Sequence, residues 1–131
     1  MIVDTSAVVA VIKREAGWEA IDRALAAATT PRMSAGTQLE LGIVVDQARD
    51  PELSRLVDAL LRDWSVEIEP VTAEHARIAR EAYRDYGRGS GHRARLNYGD
   101  CFAYALASQS GEPLLYVGDD FAATDLTPVL V

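Results

Sequence analysis

Hydrophobic and polar residues follow two different periods along this chain, and together these periods predict strands that alternate with helices. Residues 1–3 and 114–117 are short continuous apolar runs, a pattern typical of strands buried in a parallel sheet. Residues 65–71 alternate apolar and acidic positions, which predicts a half-exposed strand near a sheet edge. Residues 127–131 are a candidate last strand.

Six segments between these runs show the apolar spacing of helices. The predicted helices cover residues 7–12, 18–28, 34–47, 51–64, 72–86 and 97–110. Thr5 or Ser6 is the expected cap of the first helix. In the third helix, Leu39, Ile43 and Val44 are assigned to the buried side. Because strands alternate with helices, the sequence predicts an α/β sandwich with a mainly parallel sheet.

Length and composition indicate one globular domain over residues 1–131. Hydrophobic residues make up 49% of the chain, enough for an ordinary core. Cys101 is the only cysteine, which excludes an intramolecular disulfide and a cysteine-built zinc site. The N-terminal segment lacks the basic region of a signal peptide, and no apolar stretch is long enough for a membrane helix. We therefore expect a cytoplasmic protein that does not bind membranes.

The charge distribution limits how the chain could bind nucleic acid. Its formal net charge is -7, and an acidic domain is a poor generic binder of polyanions. Twelve of the thirteen basic residues are arginines, and six of these lie between Arg77 and Arg95. Contact with any polyanion would therefore be confined to this stretch or mediated by a metal ion.

Acidic residues stand at positions where the predicted fold brings distant segments together. Asp4 follows the first strand, Asp119 and Asp120 follow the strand at 114–117, and Asp100 opens a helix. The carboxyl ends of parallel strands and the helix starts that follow them share one edge of a sheet, where ligands bind. Glu40 lies in the third helix on the same side as Ile43 and Val44, so it should be paired or bound to a cation.

Each acid also has a simpler structural interpretation. Asp4 could only cap a helix, Asp100 could only interact with the helix dipole, and Asp119 and Asp120 could be turn residues. Glu40 could be exposed if the phase of its helix differs from the prediction. If the acids do converge, protons or cations must neutralise them, because like charges raise one another's pKa. All-oxygen ligation favours Mg²⁺ or Mn²⁺.

Four sequence motifs resemble the PIN-domain family, specifically the VapC ribonuclease toxins of type II toxin–antitoxin systems. They are MIVDTSAVVAVI, SAGTQLELGIV, LNYGDCFAYALA and LLYVGDDFAATDL, and each carries one acid of the set. The last motif is shorter than in many relatives, which have an acid, a spacer residue and then Asp-Phe. The fourth acid is assigned to Asp119, with Asp120 as the open alternative.

The resemblance implies a fold, an activity and partners. The implied fold is a PIN-like three-layer α/β/α sandwich with a central, mainly parallel sheet of four or five strands. The implied activity is Mg²⁺-dependent endonucleolytic cleavage of RNA, with Mn²⁺ as a possible substitute. A cognate VapB-type antitoxin would inhibit it, and the chain would form a homodimer.

The site roles follow from the resemblance together with the chemistry of phosphodiester hydrolysis. Asp4 and Asp100 are expected to be the primary metal ligands, and Asp119 would complete the site directly or through water. Glu40 would be a ligand or would orient the attacking water. Thr5 or Ser6 is a candidate hydrogen-bond partner of the ligands. Because water attacks rather than the ribose 2′-OH, the products should carry 5′-phosphate and 3′-hydroxyl ends.

Other residues have weaker functional interpretations. The glycine-rich loop near Asp100 could contact RNA phosphates, or its charges could pair with nearby acids; its basic residues are Arg84, Arg88, His92, Arg93 and Arg95. Tyr98 and Tyr104 could stack on bases, but their helical spacing favours the core. Structural roles are expected for Cys101 and His75.

Three other classes of protein compete with the ribonuclease interpretation. A receiver-like signalling module also binds Mg²⁺ at strand ends, but it usually has an acid pair after the first strand and a lysine near the end. Here Asp4 stands alone and Lys13 is the only lysine. A non-catalytic metal-binding domain of the same fold is the second competitor. A phosphatase of the aspartyl-phosphate type would need a second acid at position 6, which is Ser6.

Overall fold

The computed structural model describes residues 1–131 and has a four-stranded parallel sheet at its centre. The strands are β1 (Ile2–Val3), β2 (Arg32–Ser34), β3 (Glu67–Glu69) and β4 (Leu114–Leu115). Their order across the sheet is β3-β2-β1-β4, and every neighbouring pair is parallel. This confirms the predicted α/β fold and places β3 at a sheet edge, as its alternating pattern indicated.

Six helices connect the strands, two in each connection. They are α1 (Thr5–Lys13), α2 (Trp18–Ala27), α3 (Ala35–Asp46), α4 (Pro51–Asp63), α5 (Ala73–Tyr86) and α6 (Asp100–Ser110). The chain leaves α6 through Gly111, whose left-handed backbone (φ 70°) ends the helix. None of the six helices combines the length and the apolar character needed to cross a lipid bilayer.

Two apolar clusters, one on each face of the sheet, create three layers. Successive residues of a strand point to opposite faces. Val3 and Leu115 accordingly pack with residues of α1, α2, α3 and α4. Ile2 and Leu114 pack with residues of α5 and α6 on the other face. The result is the α/β/α sandwich expected from the resemblance.

The order of the strands identifies where a ligand site can form. From β1 the chain proceeds through β2 to β3 on one side of the sheet, whereas β4 lies on the other side of β1. Ligands of open α/β sheets bind beyond the carboxyl ends of the strands at such a reversal. Asp4 is the residue that directly follows β1.

Polar side chains cap the starts of α1, α3 and α5, and the cap of α1 differs from the predicted one. Ser34 caps α3 and Thr72 caps α5, each by accepting a bond from a backbone N–H. The cap of α1 is Asp4, not Thr5 or Ser6, because Asp4 has the extended backbone of a cap residue and its carboxylate accepts from the Ser6 N–H.

Two strand predictions were wrong. The sequence analysis did not identify β2, which is three residues long and contributes only one apolar side chain, Met33, to the pattern. Residues 127–131 do not form a strand but make a single bridge between Pro128 and Leu114. Proline has no N–H to donate, so it does not support a continuous ladder.

The predicted orientation of α3 was also wrong. Leu39, Ile43 and Val44 are 65%, 52% and 41% exposed, whereas Leu41 and Val45 are buried. Apolar residues occur all around this helix, so periodicity alone does not select the buried side. The error matters for function, because it leaves an apolar surface beside Glu40.

Candidate active site

Asp4 stands at the carboxyl end of β1, where it caps α1 and also presents an unpaired oxygen. Its Oδ2 accepts bonds from the backbone N–H of Ser6 (3.0 Å) and the Ser6 hydroxyl (2.6 Å). Its Oδ1 is buried and has no hydrogen-bond partner. Burial, and to a lesser degree the charge of Glu40, raises the pKa of Asp4. The capping role and a ligand role are therefore compatible, since each uses a different oxygen.

Asp100 is the first residue of α6 and is held by a reciprocal pair of bonds with Asn97. The Asn97 N–H donates to Asp100 Oδ2, and the Asp100 N–H donates to Asn97 Oδ1, both at 2.9 Å. This is the reciprocal bonding pattern of a capping box, whose two members stand three positions apart. The pair orients the carboxylate towards the same edge of the sheet as Asp4.

The protonation of Asp100 reflects its neighbours. Burial is the main reason that the pKa of Asp100 rises to about 7, and the charges of Asp4, Asp120 and Glu40 raise it further. These acids come from four separate segments of the chain. Their mutual influence shows that the fold brings them together; we call Asp4, Glu40, Asp100 and Asp120 the acidic cluster.

Glu40 lies in α3 and is held by a residue from α1. The Thr5 hydroxyl donates a 2.6 Å bond to Glu40 Oε1, and Thr5 itself is buried. Glu40 is half-buried although Leu39 beside it is exposed. The structure therefore places Glu40 beside Asp4 and Asp100 even though the predicted phase of α3 was wrong.

The two adjacent acids after β4 differ in their relation to the site. Both Asp119 and Asp120 are exposed. The charge of Asp120 raises the pKa of Asp100, and Asp119 is not among the groups that do so. Asp119, the fourth acid assigned from the sequence, stays a prediction, while this electrostatic relationship favours the alternative, Asp120.

The donor set of the acidic cluster suits a hard divalent cation. It consists only of carboxylates, one of which has a buried oxygen that no protein group satisfies. As the side chains stand, no three His, Cys, Asp or Glu residues are placed to hold a metal ion together. By donor type alone the carboxylates suit Mg²⁺ or Mn²⁺, and Mg²⁺ usually keeps several water ligands beside one or two carboxylates.

Ser6 connects Asp4 to the segment after β4. Besides donating to Asp4, the Ser6 hydroxyl accepts a 3.0 Å bond from the Val117 N–H. Thr5 and Ser6 thus each bond a site carboxylate, as the sequence analysis expected. It did not identify Asn97, although the Asn-x-x-Asp spacing was an available signal of a capping box.

The arginine-rich loop divides into paired and unpaired charges. Arg84 bonds Asp85 at 2.9 Å, so the structural interpretation holds for it. Arg88, Arg93 and Arg95 are exposed and form no ion pair. The His92 ring is held by the protein: it packs edge-on against Tyr86, and its Nδ1 accepts a bond from the Ala94 N–H.

The two tyrosines near Asp100 have different environments. Tyr104 is buried, and its hydroxyl donates a 2.6 Å bond to Asp125, as expected for a core residue. Tyr98 is 78% exposed, so the expectation of a core position was wrong for it. The first helical turn of α6 starts after Tyr98, which lies in the preceding turn with its ring edge-on to Phe102.

Cys101 and His75 have the structural surroundings that were expected. Both are buried. Burial raises the pKa of the Cys101 thiol to about 11, so it stays protonated and is a poor nucleophile. His75 lies within 3.3 Å of Gln109 and not beside the acidic cluster.

Comparisons with known proteins agree with this architecture. A sequence model of the PIN domain family matches residues 1–126. Ribonuclease VapC42 of Mycobacterium tuberculosis (strain H37Rv) is 53% identical over 128 residues, covering 98% of each chain. Ribonuclease VapC28 of the same strain is 51% identical over 130 residues, covering 99% of this chain and 98% of the relative.

Solved structures show the same fold at low sequence identity. The crystal structure of Mycobacterium tuberculosis VapC20, described as a Sarcin-Ricin loop cleaving toxin, gives a TM-score of 0.76 at 19% identity, covering 99% of this chain and 98% of that one. VapBC2 from Rickettsia felis, bound to a DNA fragment from its promoter, gives 0.74 at 18% identity, covering 98% and 96%.

Proposed function

The chain belongs to the PIN domain family, among its VapC ribonucleases, and from this premise we propose that it is an RNA-cleaving toxin that requires Mg²⁺ or Mn²⁺. The observation that carries the proposal is the acidic cluster at the carboxyl edge of the sheet. Its members come from distant segments, and burial, together with the charges of the other three acids, raises the pKa of Asp100. Like charges held this close repel one another unless protons or a cation neutralise them, and such clusters are typical of sites that bind a cation.

Asp4 and Asp100 are the residues that would hold the cation. Each is buried and has one carboxylate oxygen engaged by its own helix start, Asp4 by Ser6 and Asp100 by Asn97. The remaining oxygens are available to a ligand. Asp119 or Asp120 would complete the site, directly or through water. A bound divalent cation would lower the pKa of a coordinated water and neutralise charge on the phosphate.

Glu40 would position the attacking water and accept its proton. Its Oε1 is engaged by Thr5, whereas its Oε2 accepts no side-chain hydrogen bond. Oε2 is therefore the atom that we assign as proton acceptor. Attack by water breaks the bond between phosphorus and the ribose 3′ oxygen, leaving a 5′-phosphate on one product and a 3′-hydroxyl on the other.

The exposed arginines after α5 would contact the RNA backbone. Arg88, Arg93 and Arg95 have no acidic partner that neutralises them. Contacts with phosphates position RNA without reading its sequence. Local binding of this kind is compatible with a net charge of -7, because only one loop needs to attract the polyanion.

We also propose two protein partners, a VapB-type antitoxin and a second copy of this chain. The antitoxin is supported by solved relatives that are toxin–antitoxin complexes. The homodimer is supported by the exposed apolar surface of α3, formed by Leu39, Ile43 and Val44. Light scattering of the antitoxin-free protein should give twice the mass of one chain, and the Ile43→Arg variant should give the mass of a single chain. A monomeric wild-type protein would refute the dimer.

The proposed activity is tested by incubating structured RNAs with the antitoxin-free protein. The reactions contain Mg²⁺ or a chelator, and Asp100→Asn is assayed in parallel. We expect discrete cuts that need the metal and that disappear in the variant. Metal binding without cleavage would instead favour the non-catalytic or receiver-like module, and cleavage that persists in both controls would contradict the proposed site.

A further inference from the structure

Gly99, the residue before Asp100, has a backbone conformation that does not require glycine. Its φ and ψ are -64° and -38°, the ordinary right-handed helical region. Other residues adopt this conformation freely, and alanine has a higher helix propensity than glycine. The reason for a glycine here must therefore be the space around it.

That space is occupied by the side chain of Glu40. A Cβ atom placed on Gly99 would overlap both Oε2 and Cδ of the Glu40 carboxylate. Gly99 is buried, so the carboxylate lies directly against the backbone at the start of α6. The same carboxylate is bonded on another side by Thr5.

The contact between α3 and α6 is reciprocal. A Cβ atom on Gly36 of α3 would overlap the ring of Phe102 of α6. Each helix therefore contributes one glycine and one large side chain, about one turn apart: Gly36 and Glu40 on α3, Gly99 and Phe102 at α6. The two glycines let the helices approach closely enough for the Glu40 carboxylate to pack against Gly99, the residue that precedes Asp100.

We propose that Gly99 is a positioning residue for the reaction, because it provides the space in which the Glu40 carboxylate is held against Thr5. This inference rests on the proposed function, which gives Glu40 its role. Gly99 itself touches neither RNA nor metal in this account. It acts through the location of Oε2, the atom assigned as proton acceptor.

The two glycines should respond differently to substitution. Alanine at position 99 meets the end of a flexible side chain, which can move without disturbing the backbone. Alanine at position 36 meets an aromatic ring, which cannot retract as easily. Gly99→Ala should therefore displace Glu40 and leave the fold intact, whereas Gly36→Ala should destabilise the protein.

A double-mutant cycle tests the inference. It compares wild type, Gly99→Ala, Glu40→Asp and the double variant, with Gly42→Ala as the matched control. Gly42 lies on α3 two residues after Glu40, and a Cβ there would meet no atom within 4 Å. Three quantities are measured for each protein: the urea midpoint without metal, the dissociation constant for Mn²⁺ by calorimetry, and the initial rate of RNA cleavage.

The cycle has a definite expected result. Gly99→Ala should keep the wild-type urea midpoint but lower the cleavage rate about tenfold or more, the effect of disturbing a residue that orients a site group. In the Glu40→Asp background, the shortened side chain leaves room for a methyl group. There, Gly99→Ala should lower the cleavage rate by less than about twofold. Gly42→Ala should cleave like wild type.

Equal losses in both backgrounds, or full activity of Gly99→Ala, would overturn the inference. If wild type cleaves no RNA, the proposed function fails, and the Mn²⁺ dissociation constants decide the inference separately. The negative charge of Glu40 acts on both Asp4 and Asp100, so displacing Glu40 should weaken Mn²⁺ binding even though Glu40 is not assigned as a ligand. Gly99→Ala must then weaken Mn²⁺ binding in the wild-type background and not in the Glu40→Asp background. Unchanged affinity in both backgrounds would refute the positioning role.

Discussion

The Thr5 hydroxyl donates a 2.6 Å hydrogen bond to Glu40 Oε1 and so joins the first turn of α1 to α3. Asp4 directly precedes Thr5 in the chain. The Glu40 carboxylate packs against Gly99, which directly precedes Asp100. The bond from Thr5 and the contact between Glu40 and Gly99 together link the three segments that carry Asp4, Glu40 and Asp100.

Thr5→Val should reduce RNA cleavage about tenfold to a hundredfold, the size of loss seen when a hydrogen bond that orients a site residue is removed. The substitution keeps the shape of the side chain but leaves Glu40 Oε1 without its donor. Thr37→Val is the matched control, because Thr37 is buried nearby and its hydroxyl has no partner. Steady-state cleavage rates of the two variants give the comparison; equal losses would contradict an orienting role for Thr5.

Asp100→Asn should stabilise the metal-free protein at pH 8 and flatten its pH dependence. The pKa of Asp100 is raised from 3.8 to about 7, so between these values the folded protein binds more protons than the unfolded chain. The free energy of unfolding therefore falls as the pH rises from about 4 to 7. We expect a gain of roughly 1–3 kcal/mol for the variant at pH 8.

Urea unfolding with chelator present, at pH 5 and pH 8, measures this effect. Asp58→Asn, an exposed position on α4, is the control and should follow the wild-type pH dependence. If Asp100→Asn lost stability with rising pH as steeply as wild type does, another group would have to account for the dependence.

Asp120→Asn should lower RNA cleavage more than Asp119→Asn does. The charge of Asp120 acts on Asp100, and the two neighbours are both exposed, so each variant controls for the other. Removing the Asp120 charge should also lower the pKa of Asp100 towards its ordinary value. Cleavage rates and carboxylate titration by NMR measure both effects, and a larger loss for Asp119→Asn would restore the assignment made from the sequence.

Ser6→Ala should cost about 1–2 kcal/mol of stability, because two hydrogen bonds are lost and the Val117 N–H and Asp4 Oδ2 each lose a partner. It should also weaken Mn²⁺ binding, since Asp4 is then held only by the backbone N–H at position 6. Calorimetry and urea unfolding test the two effects. Unchanged metal affinity would show that the Ser6 hydroxyl does not orient Asp4.

The sequence was informative where an acidic residue stands at the end of a strand or at the start of a helix. Asp4 and Asp100 could be assigned because each directly follows a strand or opens a helix, and the strand order makes those positions converge. Their capping bonds did not conflict with that assignment, because a carboxylate has two oxygens. The cap interpretation of Asp4 is confirmed by its bond from the Ser6 N–H, and its role as a metal ligand stays a prediction.

The sequence was less informative where contacts between separate elements determine which side chains are buried. The orientation of α3 could not be predicted, because Leu39, Leu41 and Ile43 give no preferred side, and only the packing of α4 and α1 selects Leu41 for the core. Tyr98 looked like a helix residue by spacing but lies in the turn before α6. The role of Gly99 depends on a contact between two helices that no local pattern reveals.

The chemistry of the RNA ends tests the central claim most directly. RNA cut by the antitoxin-free protein in Mg²⁺ is assayed for terminal groups, with Asp4→Asn and Asp100→Asn as controls. The account predicts 5′-phosphate and 3′-hydroxyl ends that form only with the metal and with both carboxylates, since water held at the acidic cluster is the nucleophile. Ends with a 5′-hydroxyl and a 2′,3′-cyclic phosphate, formed equally well with chelator, would contradict it.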